Sequence, residues 1–318
     1  MTKKTCSDEE FIEIWNKLNS PSLVAQHLGI NVRNVFARRD RISKIYNVEL
    51  NTSADQRINS NSPTLAMPAD KVRAIANISG YVIVFSDAHF FPGEKSIGYQ
   101  ALIKLIKQLK PKLIIGNGDL LDGATIHSHG PMGWESPPTL KQELDAVQDA
   151  MSGIEKVAKG AILHRTVGNH DIRFDRRLAG QVPEYRDIAG TTLKDHLPLW
   201  TVSWSVMVNG NTMIKHRING GLHSAYMNTL RGGVSTVTGH THLLEVKPWS
   251  DYTGRRWGVS TGMLSDPEDA QFRYAEDSPR PWCQGFAVLK YDDNGMLLPP
   301  ELCEVVGGVA YFRGEPVL

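Results

Sequence analysis

The sequence predicts an α/β body, a sheet-rich sandwich with helices on its outside, preceded by a small all-α head. Three observations carry that prediction. Beyond residue 78, short β-branched runs alternate with helical patterns. Further along, such runs crowd together as antiparallel strands do. Near residue 51 the composition turns to Asn, Ser, Thr, Asp and Pro without any apolar period, which separates head from body. A chain of 318 residues has room for about two domains. The expected boundaries are a head at 1–50, a linker at 51–77 and a body at 78–318.

The head reads as three short helices. Ser7 and Glu10 fit a capping box, and Phe11, Ile14, Trp15 and Leu18 then share one helical face. Ser20 followed by Pro21 is a second start signal; that helix carries Leu23, Val24 and Leu28 and stops at Gly29. Asn31 caps a third helix whose Val32, Val35 and Phe36 are expected to face inward. Helix, glycine turn and helix form the helix-turn-helix pattern, and residues 20–42 resemble the helix-turn-helix DNA-binding families. Arg33, Arg38, Arg39, Arg41 and Lys44 stand against Asp40 alone in the third helix and its exit. Such a cluster would attract phosphates and be presented to a major groove; the alternative is a protein-binding or dimerising head with a solvated basic face.

In the body, strands are expected at 81–86, 112–116, 162–167, 204–209, 212–216, 235–239 and 284–291, with helices at 97–110 and 139–158. Apolar residues make up 41% and charged residues 22%, too apolar for a disordered chain. With 35 Lys and Arg against 34 Asp and Glu, the net charge of +1 points to no partner by itself. Three cysteines are too few for a disulfide scaffold and suit a reducing compartment. No apolar run approaches the ~20 residues of a membrane span, and residues 1–10 turn acidic where a signal peptide would turn apolar. The expectation is a cytoplasmic protein without a membrane partner.

Polar residues of consistent chemistry follow the predicted strands. Asp87 and His89 follow the first, Asp119 and Asp122 the second, and Asn169, His170 and Asp171 the third. His216 ends a fourth, and His240 and His242 follow a fifth. Side chains at strand ends meet in one crevice, where α/β proteins place their sites. Apart from His170, Asp122 and Asp171, the set holds four imidazoles, two carboxylates and one amide. A mixed N/O set suits Mn, Fe or Zn. Seven ligands are too many for one tetrahedral ion and suit two ions about 3.5–4 Å apart sharing a carboxylate. Two divalent ions on so few carboxylates keep a positive surplus, which favours a phosphate and its transition state.

In this order, Asp87-x-His89, Gly118-Asp119-x-x-Asp122, Gly168-Asn169-His170-Asp171, His216 and Gly239-His240-x-His242 resemble the calcineurin-like metallophosphoesterase family. The resemblance covers about residues 78–318 and is to phage- or prophage-type members, with a distant likeness to the nuclease subunit of double-strand-break repair complexes. It implies a four-layer α/β/β/α sandwich. It implies one ion on Asp87, His89 and His242, a second on Asn169, His216 and His240, and Asp119 bridging them. Manganese is the expected metal, with Fe, Zn or Ni as alternatives. By the same resemblance, a hydroxide shared by the two ions attacks phosphorus in line. His170 stands beside the leaving-group oxygen as general acid or electrostatic stabiliser, and Asp122 holds its imidazole in register.

Two departures bear on the substrate. Protein Ser/Thr phosphatases of the family continue the second motif as GDxxDRG, whereas Gly123 and Ala124 follow Asp122 here, so the arginine clamp on a monoester is missing. Arg217 follows His216 where many relatives have glycine, and either replaces the clamp or points away. Arg173 is another phosphate-clamp candidate, or an ordinary surface ion pair. His127 and His129 precede or lie in a Gly/Pro/Trp loop that could overhang the site, and His223 lies in a glycine-rich loop after His216. His27, His164 and His196 read as structural or solvated. Trp200, Trp204, Trp249, Trp257 and Trp282 read as core or rim, which leaves Trp134 as the first base-stacking candidate. The expected activity is hydrolysis of phosphodiester bonds in DNA, with the head holding the chain on nucleic acid. The alternatives are a phosphomonoesterase or cyclic-nucleotide phosphodiesterase whose head serves assembly, and a DNA-binding regulator with an idle body. No oligomeric state is read from the sequence.

Overall fold

A computed structural model describes residues 6–48, 50, 63–67, 72–126 and 136–318. The chain divides into two units, Met1–Asn61 and Ser62–Leu318.

In the first unit, α1 (Asp8–Leu18), α2 (Pro21–Leu28) and α3 (Val32–Tyr46) form where their caps place them. The Glu10 N–H donates to Ser7 Oγ at 3.1 Å and the Ser7 N–H to Glu10 Oε2 at 2.9 Å, completing the box. Gly29, at φ +64°, ends α2, and Asn31 Oδ1 accepts from the Arg33 N–H. Phe11, Trp15, Val24, Val35 and Ile42 are fully buried together. One expectation fails: Phe36 is 40% exposed, as is Leu23 of α2 at 48%. Val35 and Ile42, seven apart, define the inward stripe of α3, and Phe36 lies about 100° round the helix from it. There the Arg39 guanidinium covers its ring at 5.3 Å.

The basic cluster also needs correction. Asp8 of α1 pairs with Arg38 at 2.9 Å and with Arg41 at 2.7 Å, and Arg39 pairs with Asp40. The excess counted along α3 alone is smaller in space, because folding brings an acidic residue from another helix. Arg33 and Lys44 lie outside these pairs among the described residues.

In the second unit, fifteen strands are present among the described residues. They are β1 (Thr64–Ala66), β2 (Arg73–Asn77), β3 (Gly80–Phe85), β4 (Leu113–Asn117), β5 (Ile162–Thr166), β6 (Thr201–Ser203), β7 (Ser205–Val208), β8 (Thr212–Lys215), β9 (Ser235–Thr238), β10 (Leu244–Asp251), β11 (Gly254–Thr261), β12 (Gly285–Tyr291), β13 (Glu301–Val306), β14 (Val309–Phe312) and β15 (Glu315–Pro316). One sheet runs β1-β2-β7-β8-β9-β11-β10 and the other β15-β14-β13-β12-β3-β4-β5-β6. The linker expected at 51–77 is therefore too long at its C-terminal end: β1 and β2 belong to a sheet. Their signal is weak because β2 buries only the small Ala74 and Ala76 and the polar Asn77, all poor strand formers.

Alternation on the central strands builds the layers. Val82 and Val84 of β3, Leu113 and Ile115 of β4, and Leu289 of β12 join Val206, Ile214, Val237 and Val259 of the other sheet in one core. The intervening Ile83, Phe85, Ile114, Phe286 and Val288 face the opposite way and pack with α4 (Ile97–Leu109) and α5 (Leu140–Val157). Both faces are buried, so these strands read as continuous apolar runs. Helices α6 (Asp171–Gln181) and α7 (Leu193–His196) follow β5, and α8 (Ser224–Gly232) lies against β9, β10 and β11. The result is the expected order of helix, sheet, sheet and helix. No helix among the described residues is long and apolar enough to cross a membrane.

Candidate metal centre

The polar residues named from the sequence emerge from the C-terminal ends of strands in both sheets. β3, β4 and β5 are parallel neighbours in one sheet, and β8 and β9 in the other. The loops after β3 and β4 are zipped together, with the N–H groups of Asp87 and His89 donating to the carbonyls of Gly118 and Asp119 at 3.0 Å. Asp87, His89, Asp119, His240 and His242 all have positive φ, between +37° and +71°. Left-handed non-glycine residues are uncommon, and five at one place mark a site where the surroundings hold the backbone against strain. Gly118 (φ +84°) is needed for space as well, since a Cβ there would stand 2.5 Å from His216 Nδ1. A Cβ on Gly168 would collide with the Asp119 carboxylate.

Asp171 wires the loops. As the first residue of α6 it is buried, and its carboxylate accepts from the N–H groups of Gly168, Asp119, Leu120 and Leu121 at 2.9–3.2 Å. Sequence reasoning quoted Asp171 within its motif and gave it no role; its place next to His170 at a helix start was the available signal.

Four of these side chains, Asp87, Asp119, His216 and His89, are each anchored by one atom and offer another. Asp87 Oδ2 accepts from Ser86 Oγ and the His240 N–H, leaving Oδ1 inward. Asp119 Oδ1 accepts from the His170 N–H, and Oδ2 lies 3.1 Å from His216 Nε2. His216 Nδ1 donates to the Asn117 carbonyl at 2.7 Å, so its Nε2 faces the site, 3.1 Å from Asn169 Oδ1. His89 Nδ1 is 3.0 Å from Asp122 Oδ1, so its Nε2 faces inward too. Three donor groups result: Asp87, His89 and His242; His89, Asp119 and His170; Asp119, His216 and His240. Within each, the candidate ligand atoms lie within 4.8 Å of one another. Asp87 Oδ1, His89 Nε2 and His242 Nδ1 are buried without a hydrogen-bond partner. Burying polar atoms unpaired is costly; on carboxylate and imidazole donors clustered this way, the spare capacity fits divalent cations.

The charges agree. Burial alone would raise the Asp87 carboxyl, but the His242 and His216 imidazoles more than offset it and hold it down at about 2. Asp119 is likewise held well below the carboxylate range, by His216 against burial. Burial would lower His216, yet Asp119 raises it to about 9. His240 is lowered by burial and by the His216 charge.

His170 departs from the expected arrangement. Its Nδ1 lies 2.9 Å from the Asp122 carbonyl and its Nε2 3.0 Å from the Arg173 guanidinium. A carbonyl only accepts and a guanidinium only donates, so these two contacts are both met by a neutral ring with the proton on Nδ1. Burial would lower His170, but Asp122 and Asp119 more than offset it and raise it above the ordinary imidazole range; the Arg173 guanidinium, 3.0 Å from Nε2, opposes a proton there. Asp122 holds both rings, its carboxylate nearer to His89 (3.0 Å) than to His170 (3.4 Å). Arg173 also donates to the Asp122 carbonyl, so it belongs to the site and not to a surface ion pair.

Arg217 is exposed, and its charge reaches His240. His223 is exposed at the start of α8, outside the donor groups. His127, His129 and Trp134 lie outside the described residues. His164, held by Thr201 and Ser203, is pushed by burial down to about 3 and stays neutral in the core. Reasoning from sequence missed Glu143, whose buried carboxylate takes the N–H groups of Gly123 and Ala124. Trp282, expected at the core or rim, is half-buried with its indole 4.6 Å from the His242 ring.

A family model described as calcineurin-like phosphoesterase matches residues 80–288. The Gene 54 protein of Mycobacterium phage D29 is 26% identical over 258 residues, which are 73% of this chain and 96% of that protein. The Gene 54 protein of Mycobacterium phage L5 is 36% identical over 89 residues, 27% of this chain and 33% of that protein. The phage-type likeness expected from the motifs is thus matched by two phage proteins.

Proposed function

Since the chain belongs to the calcineurin-like phosphoesterase family, we propose that its metal-dependent phosphoester hydrolysis is directed at phosphodiester bonds, with DNA as substrate and a pair of divalent cations, manganese first, as cofactor. The observation that carries the paired-ion reading is the sharing of residues between donor groups. His89 belongs to the first and second groups and Asp119 to the second and third, so one carboxylate stands between two clusters. When bound, such ions polarise phosphoryl oxygens and lower the pKa of water.

The chain's own residues then have separable tasks. Asp87, His89 and His242 hold one side, and Asn169, His216 and His240 the other, with Asp119 between them. Asp122 orients His89 and keeps the His170 carbonyl contact in place. His170 steadies the Arg173 guanidinium, which offers charge to a phosphoryl oxygen in a site already short of negative charge. Gly123 and Ala124 bring no second guanidinium, which supports a diester, with its single charge, over a monoester. Support for DNA comes from the head: its helix, glycine turn and helix, with Arg33 and Lys44 outside its internal ion pairs.

Arg173 also favours a second reading, a phosphomonoesterase or cyclic-nucleotide phosphodiesterase, because a fixed guanidinium beside the donors suits a doubly charged phosphate. Turnover of bis-p-nitrophenyl phosphate against p-nitrophenyl phosphate with Mn²⁺ decides between them. The diester is expected to be preferred, and a large preference for the monoester overturns the first reading. Cleavage of single- and double-stranded DNA, with Asn169→Ala as the control, tests the substrate.

A further inference from the structure

One wall of the site is aromatic, and the metal-ligating chemistry makes no use of it. A short 3₁₀ turn, Ala270–Ala275, and the chain after it bring Phe272, Tyr274 and Trp282 to the side of His89 and His242. Phe272 meets both imidazoles at 5.2 and 6.0 Å, and Trp282 meets His242 at 4.6 Å. Phe272 is buried, as expected of a ring that packs ligands into place. Tyr274 is different: it joins the cluster at 6.5 Å from Phe272 and 6.4 Å from Trp282, yet is 53% exposed.

The platform behind that ring is braced. The Arg280 guanidinium lies 5.1 Å over Trp282 and is itself held by the Pro267 carbonyl and by Glu268. The Tyr274 hydroxyl is raised by burial and then by the Asp122 charge, with Arg173 opposing, so it lies in the field of the groups that flank His170. An exposed aromatic ring, rigidly backed and beside a phosphate-binding centre, matches the chemistry of a nucleobase.

We propose that Tyr274, backed by Trp282 and Phe272, is the stacking platform for the base of a nucleoside-bearing phosphodiester whose phosphate lies at the metal centre. The proposal rests on the phosphodiesterase reading above. Because every base presents a π face, such a platform is tolerant of sequence and supplies affinity for nucleotides over simple phosphate esters.

The test compares two diesters with the same leaving group, the p-nitrophenyl ester of thymidine 5′-phosphate and methyl p-nitrophenyl phosphate, on the full chain with Mn²⁺. Tyr274→Leu is expected to reduce the kcat/KM ratio of the first over the second about 10-fold, while Tyr274→Phe holds the ratio within about twofold. A ratio unchanged in Tyr274→Leu overturns the proposal, whether both rates fall together through a structural role or the ring stacks on the nitrophenyl group. Equilibrium binding of thymidine 5′-monophosphate and of inorganic phosphate, read by tryptophan fluorescence, is the second measurement. Tighter binding of the nucleotide, lost in Tyr274→Leu, supports the platform; equal binding of the two by the unmodified chain overturns it. If neither diester is hydrolysed, the phosphodiesterase reading fails by itself, and the binding comparison still decides the platform.

Discussion

The head and the metal centre handle their charged residues in opposite ways. In the head, Asp8 takes both Arg38 and Arg41, Arg39 takes Asp40, and the capping box closes on itself. At the candidate metal centre, Asp87 Oδ1, His89 Nε2 and His242 Nδ1 are buried without a hydrogen-bond partner, although the other side-chain atoms of Asp87 and His89 are firmly anchored. Ion pairs that water still reaches stabilise little and lose little when broken, whereas unpaired buried donors cost free energy that a fold retains only where something else uses them. A cluster of charges is therefore a weak sign of function when its members satisfy one another. A cluster of spare acceptors held in strained backbone is a strong one.

Asp119→Asn should break this contrast most deeply. It removes the charge shared by two donor groups, and an activity loss of at least about 10²–10³-fold is expected, the scale of losing one preorganised electrostatic contact. Manganese-dependent diester hydrolysis together with calorimetric metal uptake measures it; full activity would remove Asp119 from the centre. Next, Asp171→Ala strips four N–H groups of their acceptor and should cost at least about 3 kcal/mol of stability, given about 1–3 kcal/mol for each buried group left unsatisfied. Urea unfolding reads that cost, and a loss below about 1 kcal/mol would mean that water replaces the carboxylate.

Glu143 gives a pH signature. Burial raises its carboxyl to about 7 despite the Gly123 N–H, from 4.5 in the open chain. The native state thus keeps a proton that the unfolded chain has released, so this contribution to stability is complete below about 4.5 and is lost as pH rises through about 7. Thermal midpoints of the unmodified chain should fall between pH 5 and 8 relative to Glu143→Gln, and parallel curves would contradict the assignment. The smallest effect is expected in the head. Asp8→Ala should cost only about 0.5–1 kcal/mol, while freeing Arg38 and Arg41 to strengthen salt-sensitive binding to DNA. A larger loss of stability would place the Asp8 pairs on a par with the buried network.

Much of this architecture was legible from the order of residues. Continuous apolar runs marked β3, β4 and β12, because strands buried on both faces carry no polar alternation. Runs ending in Asp, His or Asn marked the crevice before any geometry was known. β1 and β2 were hidden because small alanines carry a weak strand signal, and β10 because Pro248 and charged residues lie in an exposed strand. The roles of Asp171 and Glu143 were hidden for another reason: each bonds backbone N–H groups, which no side-chain motif records.

From the sequence alone came the two-part organisation, a sandwich with helices outside and the residue types able to ligate metal, since all three depend on local periodicity and composition, while the four-layer order came from the family resemblance. Only the tertiary structure decided which oxygen of each aspartate is free, that His170 faces Arg173, that Asp8 neutralises part of α3, and that Tyr274 stands beside the site. Most of those depend on contacts between residues tens to hundreds of positions apart, and even the near contact of His170 with Arg173 is directed by the Asp122 carbonyl 48 positions away, so packing and not chain neighbours determines the direction of a single N–H or ring.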